Sequence, residues 1–199
     1  AHGLHFFKGA PLLNWLLYNP IEKLMSYFTN LFITINPEDY NLVQKHFNQK
    51  MKVALINGIG VDFNRLKIDN REAIRQEYRT QLNIPQDAIA LIYVAEVSKN
   101  KNQEMLIRLV EKMNKQSNHN VYLLLAGSLN ENGAYIKLAN QLGIKDKIRF
   151  LGWRKDIAQL MNTADICVAS SIREGFGINL IEAQYCHLPI VAVSNRGHN

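Results

Sequence analysis

Cysteine and long hydrophobic runs are both scarce in this chain of 199 residues. The two cysteines, Cys167 and Cys186, lie in an apolar run and near a predicted helix end, so their spacing fits neither a zinc site nor a disulfide framework. No apolar stretch approaches the roughly 18 residues that a membrane-spanning helix needs. These absences favour a soluble or peripheral protein in a reducing, cytoplasmic setting.

The chain also lacks an initiator methionine and a signal peptide, because it starts at AHGLHFF. It stops at SNRGHN, directly after a strand-like run, so we expect that both ends are truncated. What is present has globular composition, with 47% hydrophobic and 20% charged residues. The net charge of +6 comes from scattered lysines and fits an anionic small ligand, an acidic membrane surface or nucleic acid without choosing among them.

The first fifty-odd residues read as one module of short helices and strands. The segment NPIEKLMSYF predicts a helix capped by Asn19 with Pro20 in its first turn, and Asn36 and Pro37 repeat the same helix start. Apolar runs LFITIN and KVALIN predict strands, and the second leads into the glycine-rich turn NGIGVD.

Five apolar, β-branched runs follow, at 89–94, 121–126, 148–152, 165–170 and 189–194. Helix-like stretches separate them, such as NQEMLIRLVEKMNKQ and ENGAYIKLANQLG. Strands that alternate with helices predict an α/β domain, a doubly wound parallel sheet of Rossmann-like type with helices on both faces. In such sheets ligands bind at the carboxyl ends of the strands. Glycine, lysine, arginine, serine and glutamate collect at these ends, although turn formation alone explains much of the glycine.

The segment EGFGINLIEA, after the fourth run, places Glu174 in a loop and Glu182 about one turn into a helix. Its glycines permit close backbone approach, and the unpaired amides of the helix start favour an anion such as phosphate. Glu182 could instead complement the helix dipole, and Glu174 could be a solvated loop residue. Lys101, after the first run, offers a flexible charge for a diphosphate or is an ordinary surface lysine.

Six motifs together resemble the retaining glycosyltransferases of family four: NGIGVD, VAEVSKNKNQ, LLLAGS, IRFLGWRKDI, ADICVASSIREGFGINLIEA and CHLPIVAVSNRGH. That family has two Rossmann-like domains in the GT-B arrangement, and the pair of glutamates resembles its E-x7-E motif. The opening AHGLHFFKGAPLLNWLLYNPIEKL further resembles enzymes that build bacterial capsular or extracellular polysaccharide.

The resemblance implies a division of the chain and a role for its charged residues. Residues 1–57 would be the C-terminal part of the acceptor domain, and residues 58–199 the donor-binding domain without its C-terminal end. Glu174 would face the hydroxyls of the donor sugar, Glu182 would accept hydrogen bonds from the ribose, and Lys101 would offset the charge of the departing diphosphate.

Further residues take roles through the same resemblance. Gly127 would bind the donor, Trp153 and Arg154 would lie beside the nucleotide base, and His2 would reach from the acceptor domain toward the donor sugar. The backbone that would cradle the sugar and the diphosphate comprises Gly175, Phe176, Gly177 and Ile178.

The implied reaction transfers a sugar from a nucleotide donor, expected to be a UDP-sugar, to a hydroxyl of a lipid-linked glycan, with retention of anomeric configuration. The leaving phosphate would help to take the acceptor proton, so no protein nucleophile is needed and Glu174, Lys101 and His2 are the expected catalytic residues. The sequence has no Asp-x-Asp at a strand end, so we expect neither a metal nor another cofactor. No nucleic-acid partner is expected, and contact with the cytoplasmic face of the membrane would be peripheral.

Two departures from the family pattern bear on this interpretation. Ala95-Glu96-Val97 stands where the family commonly has Gly-Arg-Leu, so the usual phosphate-binding arginine is absent and Lys101 takes more of that role. His187 stands where a glycine is common, and we interpret it as a helix-end residue.

Three alternatives stay open. A nucleotide-sugar epimerase of the same architecture needs no acceptor, and a non-catalytic nucleotide-sugar-binding subunit would serve a partner transferase. The segment FFKGAPLLNWLLYNPIEKLMSYF is either an interfacial patch that docks on a membrane or an ordinary core helix preceded by an apolar loop.

Overall fold

The structure is a computed structural model, which describes residues 3–7, 9–56, 58–116, 119–128 and 133–198. The chain divides into two compact units. The first unit comprises the described residues up to Gly60 together with Glu174–Phe176, and the second comprises Val61–Arg173 and Gly177–His198.

The first unit contains a sheet of two parallel strands, in which Leu31 pairs with Lys52. Its small core consists of five buried apolar residues: Leu4, Phe6, Val43, Phe47 and Met51. Its elements in chain order are α1 (Leu12–Met25), β1 (Leu31–Thr34), α2 (Pro37–His46) and β2 (Lys52–Leu55).

The two predicted Asn-Pro helix starts have different outcomes. Asn36 caps α2 as predicted, because its side-chain oxygen accepts a hydrogen bond of 2.8 Å from the Asp39 amide. The start predicted at Asn19 is wrong, since α1 begins at Leu12 and Pro20 lies inside it. The early turns form because Trp15 Nε1 donates to the Phe7 carbonyl at 3.1 Å, which anchors them to the preceding segment.

The second unit contains a five-stranded sheet whose neighbouring strands are all parallel. The order across the sheet is β5-β4-β3-β6-β7. The predicted parallel α/β sheet is therefore confirmed. The strands are β3 (Ile89–Val94), β4 (Val121–Ala126), β5 (Ile148–Gly152), β6 (Ile166–Ala169) and β7 (Ile190–Ala192).

Helices connect these strands, as the alternation of apolar runs predicted. Because the strand order runs outward from β3 to β5 and then returns to β6, right-handed crossovers place the connecting helices of the two halves on opposite faces. The helices are α3 (Arg71–Gln81), α4 (Gln103–Gln116), α5 (Ala134–Gln141), α6 (Ile157–Thr163) and α7 (Ile178–Tyr185). Short 3-10 turns cover Ser26–Phe28, Phe63–Leu66 and Lys145–Lys147.

The core of the second unit lies around the two central strands. All six residues of β4 are buried, and Ile92 of β3 and Leu123 and Leu124 of β4 are fully inaccessible. A strand buried on both faces has an uninterrupted apolar sequence, so the apolar runs predict β3 and β4 directly.

An ion-pair cluster ties α3 to the start of β6. Asp165 accepts from the guanidinium groups of Arg75 at 2.5 Å and Arg79 at 2.7 Å, and from the Ala90 amide at 2.7 Å. Burial opposes ionisation of Asp165, but the Ala90 amide and both guanidinium groups outweigh it and hold its pKa below the usual value. Arg79 itself is fully buried and also donates to three backbone carbonyls of the segment before β3, so the cluster closes that loop.

His187 ends α7, as predicted. Its φ of 59° is left-handed, its amide donates to Gln184 at 2.9 Å, and the Leu188 amide donates to Ala183 at 2.9 Å. This pair of bonds is the Schellman arrangement, which glycine adopts with least strain. The glycine that the family commonly has at this position therefore has a structural reason.

Within the described part of the chain, no helix has the length and apolar character to cross a membrane.

Candidate functional site

The strand order of the second unit reverses beside β3. From β3 the chain moves to β4 and β5 on one side, and then returns to β6 and β7 on the other. In doubly wound sheets, the crevice for ligands opens at the carboxyl ends of the two strands where this reversal occurs. The candidate site therefore lies between the loop after β3 and the loop after β6.

Hydrogen bonds between these two loops hold them side by side. Ser170 Oγ donates to the Lys101 carbonyl at 2.7 Å, and the Ile172 amide donates to the Asn100 carbonyl at 2.8 Å. The Asn100 side chain returns a bond of 2.9 Å to the Arg173 carbonyl. The loop that carries Lys101 is thus fixed to the segment that leads into the first glutamate of the motif.

Lys101 lies at the predicted edge of the sheet. Its amide donates to the Ser98 carbonyl at 3.1 Å, which forms a turn directly before α4. The Tyr93 and Ser171 hydroxyls form a buried hydrogen bond of 2.5 Å, which joins β3 to the segment after β6. Hydrogen bonds therefore join the elements on the two sides of the reversal, both at the Lys101 backbone and between Tyr93 and Ser171.

Gly127 has a packing role that explains its identity. A side chain at this position would collide with the Ala95 carbonyl and the Glu96 amide. The segments after β3 and β4 run side by side here, since the Val97 amide donates to the Ser128 carbonyl at 2.8 Å. The Gly127 amide also donates to the Gly152 carbonyl at 2.8 Å. Ala95 and Glu96, where the sequence departs from the family pattern, therefore lie next to Gly127. The contact predicted between Gly127 and the donor stays a prediction.

Gly177 and Ile178 form the start of α7 at the same edge. Gly177 is the N-cap residue, and its position gives this helix no side-chain cap. Leu180 donates to the Gly177 carbonyl at 3.0 Å, so the first helical bond is formed. A helix start without a side-chain cap presents amide donors to an anion, which fits the predicted phosphate seat.

Glu182 is buried one turn further along α7, with 4% of its surface exposed. Its carboxylate forms a salt bridge with Arg65, which lies in the 3-10 turn Phe63–Leu66. The ion pair gives this buried carboxylate a charged partner within the fold, and its predicted role toward a ribose stays a prediction. Sequence reasoning missed Arg65, because it lies in a polar stretch that carries no periodic signal.

Glu174, Gly175 and Phe176 group with the first unit. All three are partly exposed. The Phe176 ring packs directly on Gly58, where a Cβ would lie inside the ring's contact distance. With a φ of 85°, Gly58 suits glycine for its conformation as well as for its lack of a side chain. The roles predicted for these three residues toward the sugar stay predictions.

Trp153 and Arg154, which follow β5, have different surroundings. Trp153 is 68% exposed, and Lys155 Nζ lies 5.5 Å from its ring centre. Arg154 is bonded through two nitrogens to Asp156, which also accepts from the Tyr78 hydroxyl at 3.0 Å. The bonds from Arg154 lower the pKa of Asp156 against the effect of burial. Arg154 is thus held in a network, while Trp153 presents a flat apolar surface of the kind that suits a base.

Three further features concern His2, a metal site and the two cysteines. His2 lies outside the described residues. Across the described ranges, no cluster of three His, Cys, Asp or Glu residues could hold a metal ion. Both cysteines are buried, and burial raises the pKa of Cys167 to about 12, which makes its thiol a poor nucleophile.

A cavity of about 780 Å³ lies along the edge strand β5, away from the strand reversal. Lys145 and Phe150 line it, together with Arg149. The Arg149 guanidinium is already used by the carbonyls of Leu82, Asn83 and Asp146, so its charge stabilises the fold at this edge.

Comparison with known proteins agrees with this geometry. Residues 74–199 match the family described as Glycosyl transferases group 1. The chain is 40% identical over 199 residues to EpsD of Bacillus subtilis (strain 168), which is named as a glycosyltransferase, and the match covers 100% of this chain and 51% of EpsD. It is 26% identical over 183 residues to the D-inositol 3-phosphate glycosyltransferase of Mycolicibacterium smegmatis, covering 88% of this chain and 40% of that protein. The chain thus spans about half the length, or less, of these curated relatives.

Solved structures show the same fold. The structure of Anabaena HepE in complex with UDP and glucose has a TM-score of 0.81 at 24% identity, covering 99% of this chain and 52% of that one. WaaG, a glycosyltransferase involved in lipopolysaccharide biosynthesis, has a TM-score of 0.76 at 20% identity, covering 96% and 53%. The fold, the family match and the EpsD likeness agree: the chain belongs to the group 1 glycosyl transferases.

Proposed function

We propose that this chain is the part of a retaining glycosyltransferase that binds the nucleotide-sugar donor, expected to be a UDP-sugar. The whole enzyme would transfer the sugar to a hydroxyl of a lipid-linked glycan during synthesis of a capsular or extracellular polysaccharide. The HepE structures in complex with UDP and with UDP-glucose support the donor class. The involvement of WaaG in lipopolysaccharide biosynthesis supports a lipid-linked acceptor.

The observation that carries the proposal is the pairing of the two loops beside the strand reversal. The Ser170 and Asn100 bonds fix the backbone of Lys101 next to the segment before α7. A diphosphate bound there would lie near a lysine and the uncapped start of a helix, two groups that stabilise anions. Glu182, buried behind the same helix start, would accept from ribose hydroxyls.

The chemistry then needs little covalent participation by the protein. As the bond between the sugar and the phosphate breaks, negative charge grows on the diphosphate, where Lys101 would stabilise it. The departing phosphate oxygen would take the proton of the acceptor hydroxyl on the same face, which retains the configuration. Glu174 would orient the sugar through its hydroxyls, and His2 would face the sugar from the acceptor domain. We propose that no divalent metal takes part.

Calorimetric titration with UDP and UDP-glucose in the presence of EDTA tests the proposal. Glu182→Ala and Lys101→Ala should each weaken binding at least tenfold, about 1.4 kcal/mol. Lys112→Ala, which removes an exposed lysine from α4, is the matched control and should bind as the parent does. Equal binding in all variants would contradict the assigned site, and loss on EDTA addition would contradict metal independence. Release of UDP without any acceptor would favour the epimerase alternative.

Peripheral contact with the cytoplasmic face of the membrane is a further part of the proposal. Its support is the exposed apolar surface of α1, where Leu12 is 80%, Leu13 62% and Leu16 72% exposed. Such a surface suits the boundary between headgroups and acyl chains. Trp15 of α1 packs against the small core of the first unit, so the core-helix alternative stays open beside the membrane contact.

Flotation with liposomes that contain anionic lipid tests this contact. Leu16→Glu should reduce the floated fraction severalfold, while Glu38→Gln on α2 should leave it unchanged. Trp15→Glu is a poor variant for this purpose, because Trp15 packs on Phe6 and donates to the Phe7 carbonyl. Unchanged flotation of Leu16→Glu would remove the membrane contact from the proposal.

A further inference from the structure

The salt bridge between Arg65 and Glu182 joins two very different environments. The Glu182 side chain is 5% exposed, whereas the Arg65 side chain is 57% exposed. Burying a carboxylate costs several kcal/mol unless a charged partner compensates it. Arg65 supplies that charged partner for Glu182, while more than half of the arginine side chain stays exposed to solvent.

The turn that carries Arg65 is fixed on α7 by independent contacts. The Phe63 ring stacks on Tyr185 with centres 4.7 Å apart and an angle of 19°, and Leu66 is 2% exposed. Tyr185 lies three residues after Glu182, so both face the turn from one side of the helix. The packing of this turn on α7 therefore holds Arg65 beside the Glu182 carboxylate.

The ion pair with Arg65 uses only part of the hydrogen-bond acceptor capacity of the Glu182 carboxylate. Arg65 Nη2 donates to Glu182 Oε1. A carboxylate has two oxygens with about four acceptor positions, so one guanidinium bond does not exhaust its capacity. A fixed carboxylate accepts hydrogen bonds from two adjacent hydroxyls better than a mobile one, because the carboxylate is already oriented before the ligand binds.

We propose that Arg65 is a positioning residue for the nucleotide, which holds Glu182 oriented to accept hydrogen bonds from the 2′ and 3′ hydroxyls of the ribose. This inference rests on the proposed function, because it takes Glu182 as the residue that meets the ribose. Arg65, from the 3-10 turn before α3, would thereby join the residues of the proposed donor site at α7.

Calorimetric titration with UDP and with 2′,3′-dideoxy-UDP tests the inference on the whole chain. The parent should bind UDP at least tenfold more tightly than the dideoxy ligand. Arg65→Gln should lose most of this preference while its affinity for the dideoxy ligand stays within about twofold, and Arg65→Lys should restore part of it. The control is Arg108→Gln, since Arg108 is also exposed, at 55%, but pairs with an exposed carboxylate, Glu104.

Each other outcome overturns the inference in a distinct way. Equal weakening of both ligands in Arg65→Gln would mean that the residue only supports the fold. An unchanged preference in Arg65→Gln would mean that Glu182 needs no positioning, and the proposed function would stand. A parent that binds both ligands equally would also remove the ribose role of Glu182 from the proposed function, while loss of all UDP binding by the parent would contradict the donor site itself.

Discussion

The two compact units bury their apolar side chains to very different extents. In the second unit, β3 and β4 lie in a core that includes buried residues from four strands, β3 to β6, and from the helices α4 to α7. In the first unit, five residues form the core, and large apolar side chains such as Leu16, Ile21 and Phe28 are more than half exposed. Because burial of apolar surface is the main stabilising contribution, the second unit has the means to fold on its own core and the first has far less.

This difference also separates two kinds of function. The second unit carries a rigid parallel sheet with polar loops at one edge, which is the typical support for a nucleotide site. The first unit presents apolar surface on α1, which is typical of a segment that contacts another surface. Perturbing each unit separately shows whether the contrast is real.

The largest expected effect comes from breaking the ion-pair cluster of the second unit. Asp165→Asn should reduce the free energy of unfolding by about 3 kcal/mol, because it leaves Arg79 fully buried without its carboxylate. Denaturant unfolding monitored by circular dichroism measures the change. Asp146→Asn is the control, since Asp146 is 72% exposed and pairs with Lys147 at 3.6 Å. A loss below about 0.5 kcal/mol would show that the cluster does not stabilise this unit.

The same carboxylate makes the second unit sensitive to acid. The folded pKa of Asp165 lies below its unfolded value, so its stabilisation is present above that unfolded value and is lost as pH falls through the folded pKa. The stability difference between the parent and Asp165→Asn should therefore shrink on acidification below about pH 4. Unfolding curves collected from pH 7 to pH 3 test this, and a constant difference would argue against the assigned cause.

A smaller change concerns the end of α7. His187→Gly should stabilise the second unit by about 0.5 to 1 kcal/mol, because a left-handed conformation costs a non-glycine residue about 1 to 2 kcal/mol and glycine loses part of that gain in entropy. His119→Gly, outside any helix or strand, serves as the comparison. Destabilisation by His187→Gly would show that the histidine makes a compensating contact.

The smallest effect is expected on the exposed face of α1. Leu16→Glu should change the free energy of unfolding by less than about 0.5 kcal/mol, because the side chain is 72% exposed. Phe6→Ala, in the core of the same unit, should cost about 3 kcal/mol or more. Thermal unfolding of both variants measures the difference, and a large loss in Leu16→Glu would mean that the α1 face is covered in solution.

Sequence patterns predicted the second unit more accurately than the first. The runs at 89–94, 121–126 and 148–152 match β3, β4 and β5. The match is clearest for β3 and β4, because central strands buried on both faces appear in the sequence as continuous apolar segments. The start of α1 was misplaced, since Trp15 anchors the helix through a contact with Phe7 that no local pattern encodes.

The sequence predicts where on the sheet the candidate site lies, but it does not predict which side chains pair with the site residues. The rule that ligands bind at the carboxyl ends of parallel strands placed Lys101, Glu182 and the start of α7 on one edge. Arg65 could not be found in this way, because its contact with Glu182 spans 117 residues and depends on how the turn Phe63–Leu66 packs on α7. The bonds that occupy Arg154 likewise required the fold.

Amide hydrogen exchange of this chain, with and without saturating UDP, compares the two units and the candidate site in one experiment. If UDP binds beside the strand reversal, exchange should slow at residues 95–102, 170–173 and 177–182, on both sides of the reversal, and stay unchanged along α1. Protection confined to residues 136–151, beside the cavity at β5, would place UDP at another site. Binding that protects neither of the two loops would likewise exclude the strand reversal as the donor site.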